Sequence, residues 1–173
     1  MQIDHAFLKN VSLFQDLDDA ALIRLAAQLV PKKAAAGSVI FHERDDSDAM
    51  YLVEKGRIVI SKHLEGQMDI VLTRFAAGDF FGEMGLFDAA PRSATAHAEE
   101  DSALWKLDRK AFQHIFSEYP EVAARICYRM VTVFIERLRA TNEQAREAVR
   151  WGLEATGYSV AQNSALLLGR KSV

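Results

Sequence analysis

The middle of the chain, residues 32–107, is divided into short segments by turn residues, and this division constrains the fold more than any other feature. The segments predicted as strands are residues 32–36, 38–42, 49–54, 57–62, 68–75, 94–98 and 103–107. Glycines lie in the turns between them, at Gly37, Gly56, Gly66 and Gly78. Strands this short, joined by frequent turns, are typical of an antiparallel sandwich or jelly roll.

Helical patterns precede these strands. Residues 5–17 are interpreted as a short helical lead with apolar anchors. A firmer helix follows, with Asp18 as its expected N-cap, because a carboxylate accepts hydrogen bonds from the free N–H groups of the first turn. Its apolar positions recur at helical spacing, at Leu22, Leu25, Ala26 and Leu29. Pro31 is expected to end this helix, since proline lacks the N–H that a helix interior uses.

Two more helices are predicted after the strands. Residues 109–118 form the first, and Pro120 suits the first turn of a long second helix, where its missing N–H is not needed. Along the second helix a heptad pattern places Tyr128, Ile135, Asn142 and Val149 at position a, and Val131, Leu138, Ala145 and Gly152 at position d. Ile or Val at a with Leu at d favours a parallel two-stranded coiled coil, and an Asn at a sets its register.

We therefore expect a homodimer whose helices meet through Val131, Ile135, Leu138 and Asn142. The alternative is a single amphipathic helix folded entirely on its own domain.

The predicted fold is α+β and mainly β: a jelly-roll sandwich flanked by N-terminal helices and a long C-terminal helix. The expected domains are residues 1–120, comprising the β-roll with its N-terminal helices, the long helix at 121–152, and a tail at 153–173. The sequence leaves open whether this tail is frayed or docked.

Residues 80–95, with the sequence FFGEMGLFDAAPRSAT, are interpreted as an anion-binding site. Gly82 and Gly85 let backbone N–H groups approach a ligand closely, and a one-turn helix beginning near Glu83 would direct free N–H donors at an anion. A stiff proline loop precedes Arg92, whose guanidinium suits bidentate capture of a phosphate. Glu83 would repel a phosphate unless its carboxylate reaches past the phosphate to a sugar hydroxyl. The alternative is a polar turn with a surface Arg and Glu.

Residues 81–86 and 91–95, FGEMGL and PRSAT, closely resemble the phosphate-binding cassette of the cyclic-nucleotide-binding domain. This family includes the bacterial catabolite activator, the regulatory subunits of protein kinase A and cyclic-nucleotide-gated channels. The resemblance implies that Glu83 binds the ribose 2′-hydroxyl and that Arg92, nine residues later, binds the cyclic phosphate. It also implies that the remaining donors are the backbone N–H groups of Gly82, Glu83, Met84 and Ser93.

The likeness extends over residues 7–138, with two departures from the catabolite activator or its relatives. Relatives usually carry Gly where this chain has Arg44, which puts only the local turn geometry in doubt. Arg137 falls where the activator has a Thr that contacts the adenine, and some channels place an Arg of this helix over the purine. The resemblance to the channels implies that Arg137 stacks on the base. The alternative is a solvated helix residue paired with Glu136 or Glu143.

Composition and spacing argue against several other functions. With 21 basic and 24 acidic residues the net charge is −3, which gives no bulk attraction to nucleic acid. The 21 residues after Gly152 are too few for the helix-turn-helix domain of the family's transcription factors, so no nucleic-acid partner is expected. The single cysteine and the five histidines have no metal-ligand spacing, and no nucleophile motif is found. We therefore expect no enzyme, no metal and no cofactor.

No stretch approaches the ~18 apolar residues of a membrane span, and residues 1–10 lack the apolar core of a signal peptide. We therefore expect a cytoplasmic protein without a membrane partner.

The sequence thus predicts a regulatory sensor for a cyclic nucleotide, cAMP or cGMP. It would lack a DNA-binding domain and signal through its C-terminal helix or an unknown protein effector. The alternative is a member of the same fold that has lost its ligand and serves as a dimerisation or scaffold module. Ser93 is compatible with either nucleotide, so the choice between them stays open.

Overall fold

The computed structural model describes residues 3–64 and 68–156. Its helices are α1 (His5–Asn10), α2 (Asp19–Ala26), α3 (Met84–Phe87), α4 (Arg109–Glu118) and α5 (Pro120–Ala155). Its strands are β1 (Val30–Ala34), β2 (Val39–Phe41), β3 (Ala49–Lys55), β4 (Ile58–Leu64), β5 (Met68–Phe75), β6 (Phe80–Phe81), β7 (Thr95–Ala98) and β8 (Ser102–Asp108). The chain divides into two compact units, Met1–Arg129 and Met130–Val173, so the boundary falls inside α5.

Two four-stranded antiparallel sheets form most of the first unit. One has the strand order β1-β8-β3-β6, and the other has the order β2-β7-β4-β5. Both sheets contribute side chains to one apolar core, which includes Tyr51, Val53, Phe81 and Leu104 from the first sheet and Ile58 and Ala96 from the second. The predicted mainly β sandwich with flanking helices is therefore confirmed.

Pro31 lies inside β1 and does not end a helix. Helix α2 already ends at Ala26. Pro31 is paired with Trp105 of β8, and β1 is the edge strand of its sheet. An edge strand tolerates proline, because the N–H on its open side has no ladder partner to lose. The expectation for Pro31 is therefore wrong, and an edge position explains the residue instead.

The segment before α2 is less helical than predicted. Only the first six residues of the expected lead form α1, and tighter turns follow, with Phe14 N donating to Val11 O at 2.9 Å and Leu17 N to Phe14 O at 3.0 Å. Leu8, Val11 and Phe14 are fully buried, so packing holds this segment without a continuous helix. The predicted cap of α2 is confirmed, since Asp18 Oδ1 accepts from Ala21 N at 2.8 Å.

Helix α5 begins in the first unit and is anchored there. Its first turns bury Val122, Ala123 and Ile126. Arg129 Nε donates to Ser12 O at 3.1 Å and lies 3.4 Å from a carboxylate oxygen of Asp16. These contacts join the start of α5 to the segment that follows α1.

In the second unit, α5 carries exposed apolar side chains, at Val131, Ile135, Leu138, Val149 and Trp151. The helix continues past Gly152, where its heptad pattern ends, and the part of the predicted tail at 157–173 lies outside the described residues. The two tryptophans of the chain lie one in each unit, with Trp105 2% exposed and Trp151 67% exposed. Across residues 3–64 and 68–156, no helix is long and apolar enough to cross a lipid bilayer.

Candidate functional site

A tight turn begins where β6 ends, and it forms the centre of the candidate site. Gly82 has a φ of +74°, a left-handed conformation that most side chains disfavour. Glu83 is the N-cap residue of α3, whose four residues make one helical turn. The predicted turn of helix near Glu83 is therefore confirmed. Gly85 N donates to Gly82 O at 3.2 Å and Leu86 N donates to Glu83 O at 3.0 Å, so these two N–H groups are already paired within the turn.

Both glycines of this turn are packed so closely that a side chain would collide with its neighbours. A Cβ on Gly82 would lie 2.8 Å from Arg92 Nη1 and 3.2 Å from Ala49 O. A Cβ on Gly85 would overlap the Ser47 hydroxyl and lie 3.2 Å from Arg92 Nη1. Glycine at both positions therefore lets the Arg92 guanidinium lie directly against the backbone of the turn.

Arg92 is the buried cation of the site, with 6% of its surface exposed. Its Nη1 donates to Gly82 O at 3.0 Å, and its guanidinium carbon lies 4.1 Å from the centroid of the Phe41 ring. Its Nε is buried and has no hydrogen-bond partner among the residues that the structure describes. Buried donors without an acceptor are rare in folded proteins. An anionic ligand would supply the acceptor that Nε lacks.

The electrostatic surroundings of Arg92 are mixed. Burial lowers the pKa of Arg92, while nearby Tyr51, Asp48, Asp45 and Glu83 act to raise it. Arginine is so strongly basic that Arg92 stays charged at neutral pH even with its pKa lowered. Burial raises the pKa of Tyr51, which stays neutral there. The site therefore presents a desolvated positive charge.

The predicted site residues of the turn differ in exposure. Glu83 is buried like Arg92, with 8% of its surface exposed. Met84 and Ser93 are exposed, which is compatible with a role for their backbone N–H groups. The structure thus brings Gly82, Glu83 and Arg92 together and leaves the other two side chains at the surface. Arg137 lies on α5 in the second unit, and its stacking on a base stays a prediction.

A second turn, residues 42–46, is bonded to the backbone of Arg92. Arg44 N donates to Arg92 O at 2.9 Å, and Arg92 N donates to Asp45 O at 2.9 Å. Arg44 has a φ of +70° and is the one non-glycine residue with a positive φ in the described part of the chain. Arg44 therefore adopts a left-handed backbone geometry that glycine tolerates more readily than arginine.

Arg109, the first residue of α4, belongs to the site and was not found from the sequence. Its Nε donates to Gly85 O at 2.8 Å, and its Nη2 donates to Asp88 O at 2.6 Å and also to Ser47 O. These bonds join α3 to the loop before β3. A cation in the first turn of a helix is unfavourable, because the helix dipole places positive charge at that end. An arginine in this position therefore indicates a contact with another part of the fold, and this signal was present in the sequence.

The arrangement suits an anion that also carries a hydroxyl group. The guanidinium of Arg92 and the backbone N–H group of Met84 can hold a phosphate, and the Glu83 carboxylate can accept a hydrogen bond from a hydroxyl group. Within the described residues, no group of three or more His, Cys, Asp or Glu side chains is placed to hold a metal ion.

Two curated proteins show what the chain is similar to. It is 31% identical over 157 residues to the cAMP-dependent protein kinase regulatory subunit of Blastocladiella emersonii, covering 89% of this chain and 38% of that protein. It is 26% identical over 142 residues to the CRP-like cAMP-activated global transcriptional regulator of Mycobacterium tuberculosis, covering 82% of this chain and 62% of that protein. The chain therefore spans less than two thirds of the length of either relative.

A solved structure and a family profile extend the comparison. The regulatory domain of Toxoplasma gondii PKA, crystallised with cAMP, superposes with a TM-score of 0.59 at 32% identity, covering 64% of this chain and 42% of that one. The sequence profile described as the cyclic nucleotide-binding domain matches residues 31–119, just over half of this chain. That span includes both sheets except the first residue of β1, together with the turn around Arg92. On its sequence and its fold, the chain belongs to the cyclic nucleotide-binding domain family.

Proposed function

We propose that the protein is a regulatory sensor that binds cAMP or cGMP at the turn formed by residues 82–93. Arg92 and the N–H groups of the turn hold the cyclic phosphate, and Glu83 accepts a hydrogen bond from the ribose 2′-hydroxyl. The observation that carries this proposal is the burial of Arg92 together with an Nε donor that is unpaired within the described part of the chain. Its guanidinium is buried, is fixed by Gly82 O and Phe41, and retains an Nε donor without a partner among the described residues.

The burial of both charged groups supports this assignment. A charge-assisted hydrogen bond is stronger in a desolvated site than at the surface, because water does not compete for the donor. Glu83 and a phosphate repel each other, and the charge of Arg92 offsets that repulsion. A cyclic nucleotide carries the monoanion and the hydroxyl that this pair of side chains would bind.

The relatives make cAMP the first nucleotide to test. Both curated relatives are described by their response to cAMP, and the Toxoplasma gondii regulatory domain was crystallised with it. Ser93 is exposed beside Arg92 and remains compatible with either nucleotide.

We propose that the signal leaves through α5 and that the protein forms a homodimer. Val131, Ile135 and Leu138 are all exposed on this helix, and Leu138 is 61% exposed. Exposed apolar side chains at heptad spacing favour pairing with a second helix, and Asn142 on the same seam would set the register. If Arg137 stacks on the bound base, nucleotide binding and helix position become linked, each favouring the other. A protein effector, the absence of nucleic-acid and membrane partners, and a cytoplasmic location stay predictions.

Thermal unfolding with and without nucleotide tests the binding function. A ligand that binds only the folded state raises the unfolding free energy by about 2.7 kcal/mol at a hundredfold excess over its Kd. We expect cAMP or cGMP to raise the melting temperature and expect 5′-AMP, which has an open phosphate, to have little effect. No shift with either cyclic nucleotide would favour the alternative, a ligand-free dimerisation or scaffold module.

A further inference from the structure

Arg44 combines a strained backbone with an exposed cationic side chain, and the binding chemistry described above uses neither. Its φ of +70° is matched only by glycines among the described residues, at Gly37, Gly56, Gly78 and Gly82. A left-handed conformation is unfavourable for a residue with a side chain. Strain of this kind persists where the surrounding structure imposes it, and it is concentrated at functional sites.

The hydrogen bonds of the turn impose this conformation and place Arg44 beside the site. The turn is closed by Asp45, whose N donates to His42 O at 3.2 Å and whose Oδ2 accepts from His42 N at 2.7 Å. Arg44 N donates to Arg92 O, and Glu43 N donates to Thr95 Oγ1 at 3.0 Å. The backbone of Arg44 is therefore in contact with that of Arg92. Its side chain is exposed, and in the described part of the chain it forms no ion pair or side-chain hydrogen bond.

The charges around Arg44 oppose the entry of an anion. Residues 43–48 contain four carboxylates, at Glu43, Asp45, Asp46 and Asp48, and Arg44 is the single cation among them. Asp45 and Asp48 lie close enough to act on the pKa of Arg92. Lys62 and Lys106 lie 3.4 Å from Glu43 and 3.6 Å from Asp48. A phosphate that approaches Arg92 is still repelled by the acidic turn, and the charge of Arg44 offsets this repulsion.

We propose that Arg44 is a second cation of the site, one that attracts the cyclic phosphate through its charge while Arg92 binds it directly. This inference rests on the proposed nucleotide site. A cation about 7 Å from a monoanion in a water-like dielectric strengthens binding roughly threefold. The screening length falls to about 4 Å at 0.5 M salt, so the contribution of Arg44 is largest at low salt and nearly lost at high salt.

Three substitutions separate the charge of Arg44 from its backbone. Arg44→Asn removes the charge and tolerates a left-handed φ, Arg44→Gly removes both the charge and the strain, and Arg44→Lys keeps the charge. The measurement is titration calorimetry with cAMP and with cGMP at about 20 mM and about 500 mM salt. The melting temperature of each ligand-free variant reports its fold.

We expect the Asn and Gly variants to bind roughly threefold more weakly than wild type at low salt and equally at high salt, with the Lys variant unchanged. We also expect the Gly variant to melt no lower than wild type, since it relieves strain. Equal affinity of the Asn variant and wild type at low salt would overturn the inference. So would an equal loss in the Lys variant, because lysine keeps the charge. Failure of wild type to bind either nucleotide would instead reject the proposed function itself.

Discussion

The turn around Arg92 and the second half of α5 place their side chains in opposite environments. In the turn, the charged groups of Arg92 and Glu83 are withdrawn from water. On α5, beyond the unit boundary, apolar side chains such as Ile135 and Leu138 are exposed to it. A buried charge and an exposed apolar surface are both unfavourable, so each region is stabilised by a group that covers or pairs with it.

The two regions differ in the size of the group that would complete them. At Arg92 the unmet requirement is one hydrogen-bond acceptor, since the buried Nε of the guanidinium has no acceptor among the described residues. On α5 the unmet requirement is burial of apolar surface, and this surface is spread over side chains from Val131 to Trp151. We infer that a small anion can complete the turn, whereas only a second apolar surface can cover the helix. The experiments below separate these two requirements.

Arg92→Ala has the largest expected effect and tests whether the turn depends on one charge. Removing one partner of a buried charge-assisted contact costs about 2–5 kcal/mol, or roughly 30- to 5,000-fold in affinity. We expect calorimetry to show almost no binding of cAMP or cGMP, while the fold is kept because the sandwich core is apolar. Arg57→Ala is the control, since Arg57 is an exposed arginine paired with Glu99. Wild-type affinity in Arg92→Ala would exclude the assignment.

Leu138→Glu tests the other region. In a parallel pair of helices it removes two buried leucines, roughly 3–4 kcal/mol per dimer, and adds repulsion between the new carboxylates. We expect sedimentation velocity to show a monomer that still binds nucleotide. Ala140→Glu is the matched control, because it adds the same charge to an exposed position of α5 outside the seam. A wild-type protein that is already monomeric at high concentration would show that the seam is wrongly assigned.

Gly82→Ala tests how tightly the turn is built, and Gly37→Ala provides its control. Both glycines have a positive φ, at +74° and +77°, so both substitutions introduce backbone strain. Only at Gly82 does the new Cβ approach another group, Arg92 Nη1, whereas nothing lies within 4 Å at Gly37. We expect Gly82→Ala to lose about 1–3 kcal/mol more of the unfolding free energy than Gly37→Ala, as measured in urea. Equal losses would mean that Arg92 is not held against the turn.

Glu83→Ala has the smallest expected effect, because the phosphate stays neutralised by Arg92. Loss of a hydrogen bond to a charged acceptor costs about 1.5 kcal/mol, or roughly tenfold in affinity. The matched ligand is 2′-deoxy-cAMP, which lacks the same hydroxyl. If Glu83 binds that hydroxyl, the two losses are not additive when combined. Additive losses would show that Glu83 acts elsewhere.

The parts of the site that depend on near neighbours could be predicted from the sequence. The close approach of neighbouring groups at Gly82, the short helix after Glu83 and the cap at Asp18 follow from local backbone chemistry. The exposed apolar stripe of α5 follows from heptad spacing, and the helix start at Pro120 from the tolerance of a first turn for proline.

Contacts that cross the fold could not be predicted in this way. Phe41 lies under Arg92 because β2 and the turn meet only in the folded sheet, and an aromatic residue in a strand carries no local sign of this. Arg109 bonds to Ser47, which is 62 residues away. Strand β6 has two residues and is too short to give an alternating pattern. In each case tertiary contact decides the outcome.

The position of one tryptophan in each unit gives the protein two optical probes with different solvent access. Trp105 is enclosed in β8, so its fluorescence should be blue-shifted and resistant to a soluble quencher such as iodide. Trp151 projects into water from α5, so its emission should be red-shifted and readily quenched. In Trp151→Phe the remaining emission reports the sandwich, and in Trp105→Phe it reports the helix. The effect of added nucleotide on the sandwich and the effect of protein dilution on helix pairing can then be measured separately by fluorescence, without any external label.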